Sequence, residues 1–115
     1  MITKKKIIAA AEKAGWNCTI GKRDDGGYDV MFQMYTDHAG QDRNECFWVE
    51  KLEDLSHQVY DRWQEFDVDE EASIWIGEDG HGKNGAPYRI TDIVKDMEEV
   101  EESLEKLSDE LVKIE

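Results

Sequence analysis

Only two cysteines, Cys18 and Cys46, occur in the 115 residues, too few for the disulfide framework that replaces a large core in small secreted domains. They read as buried thiols, and no C-x-x-C or H-x-x-x-H pair is present to hold zinc. No apolar run approaches the roughly 20 residues a membrane span needs. The segment IIAAAEKAG after Lys4, Lys5 and Lys6 is too short and too interrupted by charge for a signal peptide. The expectation is a cytoplasmic protein with no membrane partner. Positive charge is scarce as well: 14 Lys and Arg stand against 28 Asp and Glu, a net charge of −14. Such a chain repels nucleic acid and anionic lipid and attracts basic protein surfaces, although acid of one sign also serves plain solubility. Proline is nearly missing. The only one, Pro87, lies in a stretch that also holds Gly77, Gly80, Gly82 and Gly85, so the freedom for close turns is concentrated between residues 71 and 93.

What is present argues for one folded domain over residues 1–115. Apolar content of 39% and aromatic content of 10% are enough for a packed core and exclude a disordered chain. The acid is uneven. Residues 1–36 carry six basic against four acidic side chains, residues 37–79 three against fourteen, and residues 89–115 four against ten.

Thr3 can cap a helix over residues 4–14, with Ile7, Ile8, Ala11 and Ala14 on one face and Gly15 at its end. Trp16, Cys18 and Ile20 then alternate with polar residues, the period of a half-buried strand. The run KRDDGG at 22–27 signals a hairpin into a second strand from Tyr28 to Thr36, which directs Val30, Phe32 and Met34 to one side. Residues 37–44, DHAGQDRN, turn the chain into a third strand over about 45–50. A second helix follows the steps Leu52, Leu55, Val59, Trp63 and Phe66, and the acidic residues 67–71 read as a solvated linker. Ile74, Trp75 and Ile76 form a short extended segment, either a fourth strand or packing beneath the glycine loop. The last helix carries a heptad seam of Ile90, Ile93, Met97, Val100, Leu104, Leu107, Leu111 and Ile114. In a homodimeric coiled coil its flanks would set acid against acid. The seam is therefore expected to pack on its own sheet, with the end at about 105–115 free to project. The expected fold is α+β: a three-stranded antiparallel meander covered by helices, in the order α-β-β-β-α-(short β)-α.

Several chemistries fail at particular residues. Gly77, four residues, Gly82 and Lys83 approach a phosphate-binding loop, but Asn84 replaces the Mg²⁺-binding hydroxyl, and Gly85, Ala86 and Pro87 stand where a helix should run. Asp67, Asp69, Glu70, Glu71, Glu78, Asp79 and His81 show no spacing that selects a metal. A double-stranded RNA binding domain needs a basic entry to its second helix, and Glu50, Lys51, Leu52, Glu53 and Asp54 are not one. A restriction-type nuclease needs a carboxylate-x-Lys on its third strand, where Glu45, Cys46 and Phe47 stand. No catalytic residues, metal or cofactor are indicated. The candidate binding residues are Asp67, Asp69, Glu70, Glu71, Glu78, Asp79, Glu98, Glu99 and Glu102. In the glycine loop, His81, Lys83, Asn84 and Tyr88 either meet a partner or tie the loop to its own helix, and the second reading is preferred.

AGQD at 39–42 and EDGHGKNGAPYRITDI at 78–93 resemble a family of small, acidic proteins carried on bacterial mobile elements such as conjugative transposons, over about residues 28–105. This resemblance implies a mobile-element setting and brings no activity to carry over. In element order and acidity the chain is also similar to a Cas9-inhibiting anti-CRISPR protein whose acidic face imitates DNA. Together these imply a non-enzymatic protein that presents carboxylates to a basic, nucleic-acid-binding partner and does not bind nucleic acid itself. The alternative is an assembly module that uses the heptad seam or the glycine loop. The oligomeric state is left open.

Overall fold

The computed structural model describes residues 1–115. Helix α1 spans Lys4–Lys13, and Thr3 caps it by accepting the Lys6 N–H at 3.2 Å. It stops in a Schellman turn: Gly15, at φ +88°, donates to the Glu12 carbonyl, and Trp16 N–H donates to that of Ala11. The turn drives the Trp16 indole into the core, where its Nε1 donates to the Ser103 carbonyl at 2.9 Å.

Strands β1 (Asn17–Lys22), β2 (Tyr28–Tyr35) and β3 (Asp42–Val49) form an antiparallel sheet in the order β1-β2-β3. The register pairs Cys18 with Phe32, Val30 with Phe47, Phe32 with Glu45 and Met34 with Arg43. Val30, Phe32, Met34 and Val49 are buried, whereas Met31, Tyr35, Cys46 and Trp48 on the opposite face are exposed. The sheet is thus covered on one side only.

The third strand begins three residues before its expected start, because Asp42, Arg43 and Asn44 pair with Tyr35, Met34 and Gln33. The connecting turn is correspondingly shorter. Thr36 N–H donates to the Gln41 carbonyl, Thr36 Oγ1 accepts the Gln41 N–H at 2.8 Å, and Gly40 adopts φ +70°. Both cysteines are free. Cys18 is half-buried, with burial pushing its thiol up to about 11, but Cys46 faces solvent rather than the core.

A 3₁₀ turn at Leu52–Asp54 leads into α2 (Leu55–Glu65). The acidic run expected as a linker is instead a short helix, α3 (Val68–Ser73), capped by Asp67 through the N–H groups of Asp69 and Glu70. The IWI segment adds no fourth strand to the sheet. Its one bridge joins Ile76 to Gly82 within the loop.

Helix α4 (Ile90–Lys113) packs against α1, α2 and α3. Ile93, Met97, Val100, Leu104 and Leu107 are fully buried and Leu111 nearly so, each side chain of this size contributing about 1.5–3 kcal/mol when removed from water. The far end of α4 does not project: Leu107 and Leu111 lie in the core, and Ser56 of α2 donates to the Glu115 carboxylate. Ile90, at 41% exposure, is the one seam residue left outside.

Candidate functional site

The carboxylates expected to act together fall into two groups once the fold is formed. Four hold the chain. Asp67 caps α3, and Asp79 Oδ1 accepts the His81 N–H at 3.0 Å within the glycine loop. Glu99 accepts the N–H groups of Asp37 at 2.6 Å and His38 at 3.2 Å, which pins the AGQD turn onto α4. Glu71 is drawn into a largely buried cluster with Arg43, Glu45 and Arg62.

That cluster joins β3, α2 and α3. Arg43 Nη2 lies 2.7 Å from Glu45 and 3.0 Å from Glu71, while Arg62 reaches Glu45 at 2.6 Å and Glu71 at 2.5 Å. Both guanidiniums also lie over the Phe66 ring, at 5.5 and 5.0 Å, so two charges of each sign close on one another around an aromatic base. Burial opposes the charge of Glu71, but the hydrogen bonds and charges of Arg62 and Arg43 outweigh it and hold the carboxyl below the usual glutamate value. The hydrogen bond to Glu45, against the opposing effect of burial and with help from Glu71, raises Arg62 above its ordinary value.

The AGQD turn is held by a ladder of acids on α4. Besides Glu99, the buried Asp96 accepts the Ala39 N–H at 3.1 Å, and Asp92 pairs with His38 Nε2 at 2.9 Å. The hydrogen bond from His38 keeps the Asp92 carboxyl below its usual range. The same turn borders a polar hollow of about 580 Å³ lined by Gln41, Arg43, Trp75, Asn84 and Gly85, so the two motif segments meet in space.

The glycine loop is tied to itself. Gly77 N–H donates to the His81 carbonyl, Gly82 to Tyr88 and Lys83 to Trp75, at 2.7, 3.0 and 2.9 Å. A Cβ at Gly82 would stand 1.8 Å from the Pro87 carbonyl oxygen, and the His81 and Tyr88 rings stack at 4.0 Å. Amides engaged in this way are not arranged to cradle a phosphate. Lys83 and Asn84 are exposed, Asn84 at φ +54°. Tyr88 keeps 66% exposure and is the loop's outermost side chain of size. No three His, Cys, Asp or Glu side chains converge in a metal-binding arrangement.

The second group is presented to solvent. Asp69, Glu70, Glu78 and Glu98 are exposed with no ion-pair partner, and Glu102 meets only Lys106, at 3.8 Å. Glu98 and Glu102 belong to an open groove of about 610 Å³ lined by Trp63, Lys95, Glu98, Glu99, Glu101, Glu102 and Glu105. Glu101 and Glu105 were absent from the expected set. Their signal was the placement of Glu105 one heptad after Glu98, away from the apolar seam, with Glu101 between them. The groove defines the class of surface: an acidic helix face, with one aromatic wall supplied by α2. Comparison with protein-family models, with curated proteins and with solved structures finds no match for this chain.

Proposed function

We propose that the protein is a non-enzymatic binding protein that presents the outer face of α4, together with the exposed Asp69, Glu70 and Glu78, to the basic surface of a nucleic-acid-binding protein. The observation that carries this reading is the spacing of Glu98, Glu101, Glu102 and Glu105. At a rise of about 1.5 Å per residue, four carboxylates span roughly 10.5 Å, or about 3.5 Å per charge, close to the roughly 3.4 Å per phosphate along one DNA strand. Glu98, Glu101 and Glu105 have no ion-pair partner and Glu102 only its long contact to Lys106, so little of this charge is neutralised within the chain. The resemblance to acidic proteins of mobile elements supports a setting in the host cytoplasm, where such a protein would compete with DNA or RNA for its partner.

The alternative of assembly through the heptad seam lacks a surface, since Leu104, Leu107 and Leu111 are at most 2% exposed. Assembly through the loop would rest on Tyr88 with the exposed Lys83 and Asn84. The test is capture of a basic protein from bacterial lysate at low and high salt, with DNA as competitor. Capture should weaken steeply as salt rises, because the contacts are charged and exposed. It should be lost in a variant carrying Glu98→Lys, Glu101→Lys, Glu102→Lys and Glu105→Lys that still folds. A partner held equally at high salt, and not displaced by DNA, would refute the proposal.

A further inference from the structure

The face of the sheet opposite the helices is open and nearly uncharged in a chain of net charge −14. Its central row is Thr19, Met31 and Cys46, and the next is Gly21, Asp29 and Trp48. Met31 and Trp48 are 39% and 44% exposed. Arg23 neutralises Asp29 at 3.0 Å and lies 6.0 Å from the Trp48 ring, which leaves Asp42, hydrogen-bonded by Gln33, as the only other charge on the face. The rows enclose a shallow, mainly apolar hollow of about 550 Å³.

Gly21 is the informative residue. Its φ is not left-handed, and a Cβ there would meet nothing within 4 Å, so neither the backbone nor any neighbour in the chain requires glycine. Glycine weakens a strand, and within one is often a site where another group approaches closely. The hollow it leaves lies in the same cross-strand row as Trp48, whose indole rests by one edge on Gly27 of the hairpin and leaves the other edge open to solvent, and this combination is self-complementary under a twofold axis.

We propose that this face is a self-association surface, on which a second copy of the chain docks sheet to sheet, Trp48 of each copy entering the hollow over Gly21 of the other. Two observations favour a second copy over another occupant. The face is where two strongly acidic chains can meet with the least charge repulsion. Its size also fits a transient contact: three strands about 4.8 Å apart and about 27 Å long remove roughly 800–1,000 Å² in total when paired, below the roughly 1,200 Å² at which stable interfaces begin. The dimer is therefore weak and transient, and it leaves both acidic α4 faces outward.

The test is sedimentation velocity on the full chain up to about 500 µM, at low and high salt. The wild type should dimerise, and more tightly as salt rises, the opposite of the salt response expected for capture of a basic partner. Gly21→Val, a substitution that suits a strand, and Trp48→Glu should each weaken dimerisation at least tenfold with unchanged circular dichroism. A short bismaleimide should link wild-type copies through the exposed Cys46 and not link Cys46→Ser. A monomer at every concentration would overturn the proposal, as would a dimer that both variants leave intact or one that salt dissociates. The four-lysine variant of α4 should still dimerise, so failure of this inference and failure of the acidic-face reading are separable.

Discussion

Glu70 and Glu71 are adjacent in sequence and alike in charge, and the structure assigns them opposite energetic roles. The Glu71 side chain is 13% exposed and shared between Arg43, 11% exposed, and Arg62, 28% exposed. Glu71→Gln leaves two guanidiniums with Glu45 alone, an uncompensated positive charge in a mostly dry site. Breaking a fully buried pair costs about 3–5 kcal/mol. Solvent reaching Arg62 screens part of that, so the expected loss is about 2–3 kcal/mol. With about 2.1 cal/mol/K of unfolding entropy per residue over 115 residues, Tm should fall by roughly 8–12 °C. Glu70→Gln, at an exposed position, should change stability by no more than about 0.5 kcal/mol. Urea and thermal unfolding of both variants across pH check the cause. The Glu71 carboxyl lies below its ordinary value of 4.5 in the folded protein, so its contribution is fully present above that pH and is lost as pH falls through the lower folded value. The gap between wild type and Glu71→Gln should therefore close in acid. Equal midpoints for the two variants at neutral pH, or a gap that persists to low pH, would refute the assignment.

Gly82→Ala should destabilise by at least about 2 kcal/mol and free the His81–Tyr88 stack, because the added Cβ would stand 1.8 Å from the Pro87 carbonyl oxygen and only backbone movement can relieve it. Unfolding curves and tyrosine fluorescence read both effects, and wild-type stability in the alanine variant would contradict the geometry. The Asp92 carboxyl should titrate below 3.8 by NMR in the wild type and move upward in His38→Ala, since the hydrogen bond from His38 is the leading cause of its depression. An unchanged titration would show that the turn is not anchored through that pair.

The meander and the long helix were legible because Val30, Phe32 and Met34 alternate and because the seam from Ile93 to Leu111 steps by three and four, both consequences of side-chain geometry. The start of β3 was hidden, since the inward residues Arg43 and Glu45 are charged and no hydrophobic pattern marks a buried ion cluster. Helix α3 had a signal that composition masked: Asp67 followed by Glu70 is a capping pattern, and Val68 and Ala72 are its only apolar side chains. At the candidate site, the sequence located the acid but not its division of labour. Glu98 and Glu99 are neighbours and both border the groove, yet Glu99 binds the turn amides of Asp37 and His38 while Glu98 is exposed with no ion-pair partner. That difference is set by the approach of the β2–β3 turn to α4, a tertiary fact with no local signature.

The exposed acid on α4 is not explained by the stability of the helix that carries it. Glu98 with Glu101 and with Glu102, and Glu105 with Glu101 and with Glu102, are four like-charge pairs at three- or four-residue spacing, each unfavourable by about 0.2–0.5 kcal/mol. These repulsions together oppose the fold by roughly 1–2 kcal/mol, of which the single ion pair on the face, Glu102 with Lys106, returns about 0.2–0.5 kcal/mol. Burial of the seam on the opposite face offsets the rest. Solubility does not require this arrangement either, because interspersed lysines would keep the surface charged without the repulsion. The acids that stabilise the structure are those with partners: Glu45 and Glu71 between two arginines, Glu99 and Asp96 on turn amides, and Asp67 at a helix start. Glu98, Glu101, Glu102 and Glu105 do the opposite and are held in a closely spaced row. A pattern that costs stability and is unnecessary for solubility is what the proposed acidic binding face would require.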